Sequence, residues 1–369
     1  MNIERIEVIP LEVPLARTFH GSYYSMSSRA TLITRVHTTD GLVGESYNGD
    51  EIHTQIAIGR IVTDEIFPRL QDQDPLMVER CWKAMLPLTF DILRDRRLVL
   101  MAMAAVDSAL WDLSGKTAGM PLYRMWGGAA DRLPIVAIGG YYNRTEPELA
   151  AEIEGYLEME IGGCKMKVGA APPEEDARRF RAMREATSGE PFLLMADANQ
   201  GYDVDDAISF ARLVEDQDMR WFEEPVRWMN ADRWMRDVRL KTGVAVAAGQ
   251  SELARGDVRR LMEGGAIDVC NFDASWSGGP TEWRRVAGLA ASFGVEMAHH
   301  EEPQVSAHLL ASVFHGTYVE VFHPDRDPIF WNLIANRSPI SGGIYEIPSG
   351  PGLGLELDEG FIELYRVDR

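Results

Sequence analysis

Short apolar runs alternate with longer helical segments over the C-terminal two thirds of the chain. From Leu133 onward, eight such runs predict strands. These runs are 135–138, 165–168, 192–196, 220–222, 244–248, 267–272, 295–298 and 317–322. The segments between them, such as 177–186, 205–217 and 281–293, have a helical pattern. Because a strand, a helix and two loops need about 25–30 residues, this alternation predicts a (β/α)8 barrel.

The N-terminal part has a different pattern. Residues 1 to about 49 predict an antiparallel sheet with strands over 3–13, 31–38 and 42–46, the last two joined by a Thr-Asp-Gly turn. Residues 52–125 look helical, with a well-packed amphipathic helix over 98–113. We therefore expect an α+β domain over 1–125 and the barrel over 126–325. A Gly- and Pro-rich C-terminal segment, 326–369, is expected to pack back on the first domain.

A polar residue closes almost every strand of the predicted barrel, and successive members of the set lie 20 to 30 residues apart. The set is Lys167 with its neighbour Lys165, then Asp197, Glu223, Gln250, Asp273, His300 and Glu320. Side chains at the C-terminal ends of barrel strands face the site where such barrels do chemistry. The pattern therefore predicts an enzyme active site.

The lysine pair is the sharpest feature of this set. Side chains alternate along a strand, so Lys165 and Lys167 share one face while Met166 points away. Two lysines beneath the helices would be costly buried charges, so we expect both to face the barrel opening. Each cation disfavours the charge of the other, which predicts a pKa near neutrality for at least one of them, as a general base needs. The alternative is two solvated lysines on a loop.

Asp197 and Glu223 have the character of ligands for a hard cation, because carboxylate oxygens suit Mg²⁺. The next strand end offers Gln250, whose amide carbonyl is the third predicted ligand, while Glu224 and Glu252 are nearby alternatives. Each carboxylate taken alone is also compatible with a helix cap or a surface loop. Asn199 shares the face of Asp197 and is expected to contact the substrate or a bound water.

Composition narrows the possible partners. Lys and Arg number 37 and Asp and Glu 57, giving a formal net charge of −20, which repels nucleic acid and anionic membrane surfaces. No stretch approaches the roughly 20 apolar residues of a membrane span, and the N-terminus lacks the pattern of a signal peptide. The three cysteines are far apart and odd in number. That favours reduced thiols and a cytoplasmic location.

Taken together, these motifs resemble those of the enolase superfamily, in its mandelate racemase subgroup. The matching motifs are Lys-Met-Lys at 165–167, Asp-Ala-Asn-Gln at 197–200, Trp-Phe-Glu-Glu-Pro at 221–225, Asp273, His300 and Glu320. The resemblance spans essentially the whole chain. It implies a modified barrel under a capping domain, one Mg²⁺ per active site, a small carboxylate substrate and a homo-oligomer, from dimer to octamer.

The resemblance also implies roles for individual residues. Lys167 resembles the base on one side of the substrate, and Lys165 resembles the lysine that tunes it and contacts the substrate carboxylate. Asp273 and His300 resemble a dyad on the opposite side, and Glu320 resembles the acid that hydrogen-bonds the enediolate. The departure is Gln250, where the subgroup usually has Glu. This substitution leaves the third ligand open and predicts weaker Mg²⁺ binding or a stronger Lewis acid.

The implied reaction is removal of the proton α to a carboxylate. Dehydration of a sugar acid, an aldonate or aldarate, to a 2-keto-3-deoxy acid ranks first, which makes the chain a hydro-lyase. Racemisation or epimerisation, and cycloisomerisation of a hydroxy acid or sugar-acid lactone, are the alternatives. A binding protein that lost catalysis at Gln250 is a third possibility. The retained Lys167, His300 and Glu320 argue against it.

Substrate specificity is expected to come from the first domain. The segment 17–26 links two predicted strands, and the resemblance places it over the barrel. Its candidate substrate-binding residues are Arg17, His20, Tyr23 and Tyr24. The loop 48–54 is a second candidate. After the last barrel strand, a cluster of His323, Arg326, Asp327 and Trp331 either lines the pocket, with Trp331 as the predicted contact, or only caps the barrel.

Overall fold

The computed structural model describes residues 1–49 and 53–367. The candidate loop 48–54 therefore lies partly outside the described residues, at positions 50–52. The predicted architecture is confirmed: an N-terminal α+β domain is followed by a barrel of parallel strands and helices. The proposed division at residues 125 and 325 stays a prediction.

The first domain begins with an antiparallel sheet. Its strands, in sheet order, are β1 (Ile3–His20), β2 (Ser25–Thr38) and β3 (Val43–Tyr47). Between β2 and β3, Gly41 takes a φ of 86° and Thr38 N donates to Leu42 O at 3.1 Å. This confirms the hairpin predicted from Thr-Asp-Gly, because the left-handed region favours glycine. β1 runs to His20, beyond its predicted end, so only residues 21–24 connect it to β2.

The helices of the first domain pack on this sheet and on one another. They are α1 (Gln55–Ile61), α2 (Phe67–Leu70), α3 (Val78–Met85), α4 (Arg96–Ala118) and α5 (Leu122–Met125). Asp95 caps α4 by accepting from Arg97 N at 2.9 Å, and Gly119 ends it with a φ of 63°. By length and composition α4 passes as a membrane span, contrary to the expectation that no stretch approaches one. However, 83% of its apolar window is buried within the fold, as in a core helix.

The barrel strands follow the eight predicted runs. Within residues 53–367 they are β4 (Arg132–Gly139), β5 (Gly163–Lys167), β6 (Leu193–Asp197), β7 (Met219–Glu223), β8 (Val246–Ala248), β9 (Val269–Cys270), β10 (Glu296–Met297) and β11 (Val319–Phe322). Successive strands from β4 to β10 pair in parallel, and β11 pairs with β4. The ring closes where Met297 N donates to His315 O at 2.8 Å and Thr317 N donates to Met297 O at 2.9 Å.

Helices alternate with these strands and form the outer layer. They are α6 (Glu146–Glu158), α7 (Pro173–Ala186), α8 (Val204–Leu213), α9 (Ala231–Thr242), α10 (Arg255–Glu263), α11 (Pro280–Phe293) and α12 (Pro303–Ala311). The core lies between strands and helices, where Phe180, Phe210 and Phe222 are fully buried. Each such burial contributes about 1.5–3 kcal/mol to folding. The predicted helix 205–217 ends earlier, at Leu213.

The C-terminal segment contacts both domains. Its elements are α13 (Pro328–Leu333), β12 (Ile340–Ser341), β13 (Ile344–Glu346) and α14 (Glu359–Tyr365). β13 pairs antiparallel with the start of β4. Leu353 N then donates to Asp112 of α4 at 2.8 Å, and Val367 N donates to Pro10 O of β1 at 3.0 Å. The tail therefore packs back on the first domain, as the sequence predicted.

Candidate functional site

Both lysines of β5 point into the mouth of the barrel. Lys165 is fully buried, and its Nζ donates to Glu223 at 2.8 and 2.9 Å and to Glu320 at 2.5 Å. Met166 points the opposite way and joins the core under the helices. The alternation predicted for the strand is thus observed, and the solvated-loop alternative does not hold.

Lys167 lies one pleat further along the strand. Its Nζ donates to Asp197 Oδ2 at 2.6 Å and to Asn199 Oδ1 at 3.0 Å. The ring of Tyr24 lies over the same ammonium group, 5.9 Å from its centroid. Lys167, Asp197 and Glu223 are register partners on β5, β6 and β7, so their side chains form one row along the barrel rim.

The expected fall in lysine pKa is not observed. Burial alone would lower the pKa of Lys167, but Asp197, through its charge and its hydrogen bond, together with Tyr24 and Tyr141 outweighs burial and holds that pKa well above its ordinary value. Burial likewise opposes the charge of Lys165, and Glu223 and Glu320 together raise its pKa. The prediction was wrong because it counted the two lysines and omitted the carboxylates that neighbouring strands bring against them.

The predicted oxygen donors for a cation lie on neighbouring strand ends. Asp197 and Glu223 are fully buried, and Gln250 follows β8. Gln250 Nε2 donates to Glu224 at 3.4 Å, while its buried Oε1 accepts no hydrogen bond from any described residue. A buried acceptor without a donor is costly, and a cation would satisfy it.

These residues fit Mg²⁺ by their donor chemistry. Within residues 1–49 and 53–367, no three His, Cys, Asp or Glu side chains cluster closely enough to hold a metal ion by themselves. The amide oxygen of Gln250 is the predicted third donor. The assignment of Asp197, Glu223 and Gln250 as ligands stays a prediction.

The opposite side of the site carries the Asp–His pair. His300 Nδ1 lies 2.9 Å from Asp273 Oδ2, and Trp276 N donates to the other oxygen of Asp273 at 3.0 Å. β10 has ended at Met297, so both His299 and His300 follow the strand. His299 turns away from the cavity, and its Nε2 accepts from Ala274 N at 3.0 Å.

The electrostatics of His300 favour its charged form. Burial lowers the pKa of His300, but Glu301 and Asp273 together raise it above the ordinary value. Glu301 Oε1 lies 3.5 Å from His300 Nε2. Glu320, on β11, accepts from Glu301 N at 3.1 Å as well as from Lys165.

A cavity of about 390 Å³ lies against Lys167, Gln250 and His300, whereas Lys165, Asp197, Glu223, Asp273 and Glu320 lie behind its wall. Its wall contains Tyr24, Ser25, Met26, Lys167, Asn199, Gln200, Glu224, Gln250, Ser251, Trp276, His300, Glu301, Phe322 and Arg326. The first domain contributes the segment from Tyr24 to Met26. Ser22 Oγ fastens this loop to the barrel by donating to Val168 O at 2.6 Å. The cavity therefore lies between the two domains.

The other substrate-binding candidates lie outside this wall. Tyr23 is 75% exposed, and Arg17 stacks on Phe19 near the surface and pairs with Asp325 at 3.8 Å. His20 is hydrogen-bonded to Ser25. Strand β1 extends to His20, so Arg17 and His20 belong to this strand and Tyr23 and Tyr24 to the short connection after it. Of these four candidates, Tyr24 alone lines the cavity.

Of the residues after β11, some line the cavity and others lie outside its wall. Trp331 donates to Phe322 O at 2.8 Å and stacks on Arg337, outside the cavity wall. Arg326 lines the cavity, with its guanidinium over the Phe322 ring at 4.4 Å. Sequence reasoning missed Glu301 as a wall residue. The available signal was its position directly after the histidine pair.

In comparisons with known proteins, the chain matches family models along most of its length. Residues 5–127 match the model for the mandelate racemase/muconate lactonizing enzyme N-terminal domain, and residues 148–361 match the enolase C-terminal domain-like model. An arabinonate dehydratase of Saccharolobus solfataricus is 28% identical over 342 residues, 90% of either chain. A 3,6-anhydro-alpha-L-galactonate cycloisomerase of Streptomyces coelicolor is 30% identical over 360 residues, 96% of this chain and 97% of the relative.

Solved structures extend the likeness to the whole fold. A mandelate racemase/muconate lactonizing enzyme from a marine actinobacterium, solved in complex with magnesium, is 50% identical. It superposes with a TM-score of 0.94 over 100% of this chain and 99% of its own.

Proposed function

Because the chain belongs to the mandelate racemase/muconate lactonizing enzyme family of the enolase superfamily, we propose that it removes the proton α to a substrate carboxylate. The net reaction we propose is dehydration of a sugar acid, an aldonate or aldarate, to a 2-keto-3-deoxy acid. Sugar-acid dehydratases and cycloisomerases among the relatives support this reaction class.

The observation that carries the proposal is the placement of Lys167 and His300 in the wall of one cavity. Lys167 ends β5 and His300 follows β10, so a basic group reaches the cavity from two non-neighbouring strands. Asp197 and Glu223 lie on the strands directly after β5. A small carboxylate bound there has a proton acceptor on one side and a proton donor on the other.

Lys167 acts as the base in this proposal, in its neutral form. Asp197 favours its charged form in this structure, and a cation held by Asp197 would offset that carboxylate and lower the pKa of Lys167. Asp197 and Asn199 hold its Nζ by hydrogen bonds, which fixes the direction from which the α-proton is taken. Mg²⁺, when held by Asp197, Glu223 and Gln250, would supply Lewis-acid stabilisation of the charge that develops on the substrate carboxyl group. Lys165 contacts that carboxyl group, and Glu320, which lies 2.5 Å from Lys165 Nζ, hydrogen-bonds the enediolate oxygen as an acid after the proton is lost.

His300 then determines the products. When it donates a proton to a leaving β-hydroxyl, water departs and the remaining enol tautomerises to the 2-keto acid. The proton lost from the α-carbon stays on Lys167 until solvent takes it. The reaction needs no redox partner because the net change is the loss of water. Asp273 holds the other ring nitrogen of His300 and stabilises its charged form.

Cycloisomerisation of a sugar-acid lactone is the second candidate, and two relatives described as cycloisomerases, one of them acting on D-galactarolactone, favour it over racemisation and epimerisation. In cycloisomerisation the leaving oxygen is part of the substrate ring and stays attached to the product. Racemisation or epimerisation requires His300 to exchange a proton with the α-carbon itself. The three outcomes share the step at Lys167.

A substrate screen separates these outcomes. A library of mono- and diacid sugars is incubated with the protein and Mg²⁺, and 2-keto acids are detected with semicarbazide. Dehydration predicts signal with one or a few acids that is absent in Lys167→Ala and retained in Lys241→Ala, an exposed lysine on α9. A blank screen with the wild-type protein contradicts dehydration. Opening of a lactone ring without change of mass, followed by NMR and mass spectrometry, identifies cycloisomerisation instead.

The proposal also covers the cellular location, the oligomeric state and the binding partner of the enzyme. Cys81, Cys164 and Cys270 are free and buried, which fits the reducing cytoplasm. We propose a homo-oligomer, which light scattering on the purified protein tests directly. A small-molecule carboxylate, not nucleic acid or membrane, is the proposed partner.

A further inference from the structure

Glu301 is the least expected residue in the cavity wall. It follows His300 directly, takes a φ of 48° and is 3% exposed. A left-handed backbone is unfavourable for a residue with a side chain, so surrounding contacts have to hold it. Its Oε1 lies 3.5 Å from His300 Nε2, and the cavity lies beside both groups.

Arg29 fixes the carboxylate of Glu301. It reaches across from β2 of the first domain, and its Nη2 donates to Glu301 Oε2 at 2.6 Å. The same guanidinium donates from Nε to Asp327 at 3.1 Å. Arg29 is 2% exposed, so the contact is a buried ion pair. Burial raises the pKa of Glu301, but Arg29, His300 and Arg326 together lower it to about 2, so Glu301 carries its charge at neutral pH.

His300 is thereby bracketed by carboxylates at both ring nitrogens. Asp273 lies 2.9 Å from Nδ1 and Glu301 lies 3.5 Å from Nε2. Both nitrogens are donors only in the imidazolium, so this environment favours the protonated ring. The Nε2 contact is longer than a good hydrogen bond, so the proton there remains available to a substrate oxygen.

Groups on other elements around the ring have smaller effects on the pKa of His300. The groups that face His300 from them are Lys165 of β5, Glu224 after β7, Trp276 after β9 and the neighbouring His299. Lys165 and His299 oppose a charge on His300, whereas Glu224 favours it. The Trp276 ring, with its centroid 4.9 Å away, shields one face of the imidazole.

We propose that Glu301 is a positioning residue which, together with Asp273, keeps His300 protonated in the resting site, so that His300 meets the substrate as a proton donor. The step that this serves rests on the proposed function. A protonated His300 suits loss of a β-hydroxyl as water. Removal of an α-proton by the same ring, which one direction of racemisation needs, requires its neutral form.

The test is an NMR titration of the full-length protein labelled with ¹³C at histidine Cε1, without substrate. The His300 signal is assigned from its loss in His300→Asn. Glu301→Gln keeps the size and hydrogen-bonding ability of the side chain but removes its charge. We expect the midpoint of His300 to fall by about one to three pH units in this variant.

Glu302→Gln is the matched control. Glu302 is the next residue, is equally buried and has a φ of 53°, but its carboxylate accepts from Ser275 at 2.5 Å. The proposal predicts that this variant moves the His300 midpoint far less. Equal midpoints in wild type, Glu301→Gln and Glu302→Gln overturn it. If Glu301→Gln does not fold, Arg29→Met/Glu301→Gln removes both charges of the pair and gives the same comparison.

Once a substrate is known, pH-dependent kinetics test whether the protonated form of His300 is the one that acts in the reaction. The high-pH limb of kcat should shift to lower pH in Glu301→Gln, while exchange of the α-proton with solvent at neutral pH persists. Equal losses of exchange and dehydration at every pH point to a structural defect and contradict the proposal. The titration needs no substrate, so its outcome stands even if no sugar acid is dehydrated.

Discussion

The ring of Tyr24, from the first domain, lies over the ammonium group of Lys167 in the barrel, 5.9 Å from its centroid. The connection that carries Tyr24 is short, and Ser22 anchors it to the strand end that bears the lysine. The part of the cavity wall above the candidate base is therefore built by the loop that carries Tyr24, together with Ser25 and Met26. A change in this loop should alter substrate binding without disturbing the barrel.

The two adjacent tyrosines of this loop give a matched test. Tyr24 lines the cavity, whereas Tyr23 is 75% exposed outside it. We expect Tyr24→Phe to lower kcat/KM about tenfold, because the variant loses one hydrogen bond of about 1.4 kcal/mol from the Tyr24 hydroxyl to the substrate. Tyr23→Phe should leave kcat/KM unchanged. Steady-state kinetics on the acid found by the screen measure both. An effect of Tyr23→Phe as large as that of Tyr24→Phe contradicts the assignment.

Gln250 offers a test of the predicted metal site. Gln250→Glu places a second carboxylate beside buried Glu224, which is repulsive unless a cation lies between them. We therefore expect this variant to be less stable than wild type without Mg²⁺ and to gain more Tm on Mg²⁺ addition, with tighter binding by calorimetry.

Gln200→Glu is the control for that experiment, because Gln200 Nε2 also donates to Glu224 at 3.4 Å but is not a predicted ligand. It should lose stability without the extra gain from Mg²⁺. Identical responses of the two variants to Mg²⁺ would remove Gln250 from the ligand set.

Arg29 should be a large contributor to stability. Arg29→Met leaves Glu301 and Asp327 without the cation that links them in a buried site. We expect a loss of about 3–5 kcal/mol in the free energy of unfolding, measured by urea denaturation. Arg259→Met removes an exposed pair with Glu263 and should cost about 0–1 kcal/mol. Similar losses for the two arginines contradict the buried network.

His308 predicts part of the pH dependence of stability. Its Nδ1 accepts from Tyr123 N at 3.3 Å and its Nε2 donates to Leu353 O at 3.0 Å, which requires the neutral ring. Burial lowers the pKa of His308 from 6.5 to about 4. The unfolded chain therefore binds a proton first as pH falls below 6.5, and the folded state loses stability down to pH 4.

That loss amounts to about 2 kcal/mol between pH 7.5 and 5 from this residue alone. Urea unfolding at the two pH values should show a smaller difference for His308→Gln than for wild type. The variant is less stable at both values because it loses packing and a hydrogen bond. His37→Gln, in the first-domain sheet, is the control. An unchanged pH difference in His308→Gln rules out this residue as the source.

Much of the fold was predictable from sequence because the barrel repeats one local pattern. The apolar runs located each strand of the described barrel, and strand alternation placed Lys165 and Lys167 on the inner face. Asp273 and His300 were predicted as a pair from the family resemblance, and in the structure Asp273 Oδ2 lies 2.9 Å from His300 Nδ1.

The remaining features depend on contacts that the local pattern does not contain. The raised pKa values of the lysines come from carboxylates on other strands. Glu301 was missed because its role depends on a left-handed backbone and on Arg29, 272 residues away in sequence. Arg17 and His20 were placed in a loop because the extension of β1 depends on its pairing with β2.

The central claim is that the chain breaks the C–H bond α to a carboxylate with Lys167. The most direct measurement follows the α-proton signal of each sugar acid by ¹H NMR in D₂O with Mg²⁺, for wild type, Lys167→Ala and Lys241→Ala. Dehydration, exchange, epimerisation and cycloisomerisation all remove or replace that proton. We predict loss of the signal for at least one acid with wild type and Lys241→Ala, and a persistent signal with Lys167→Ala. Loss at the wild-type rate in Lys167→Ala, or a persistent signal for every acid with the wild-type protein, would contradict the account.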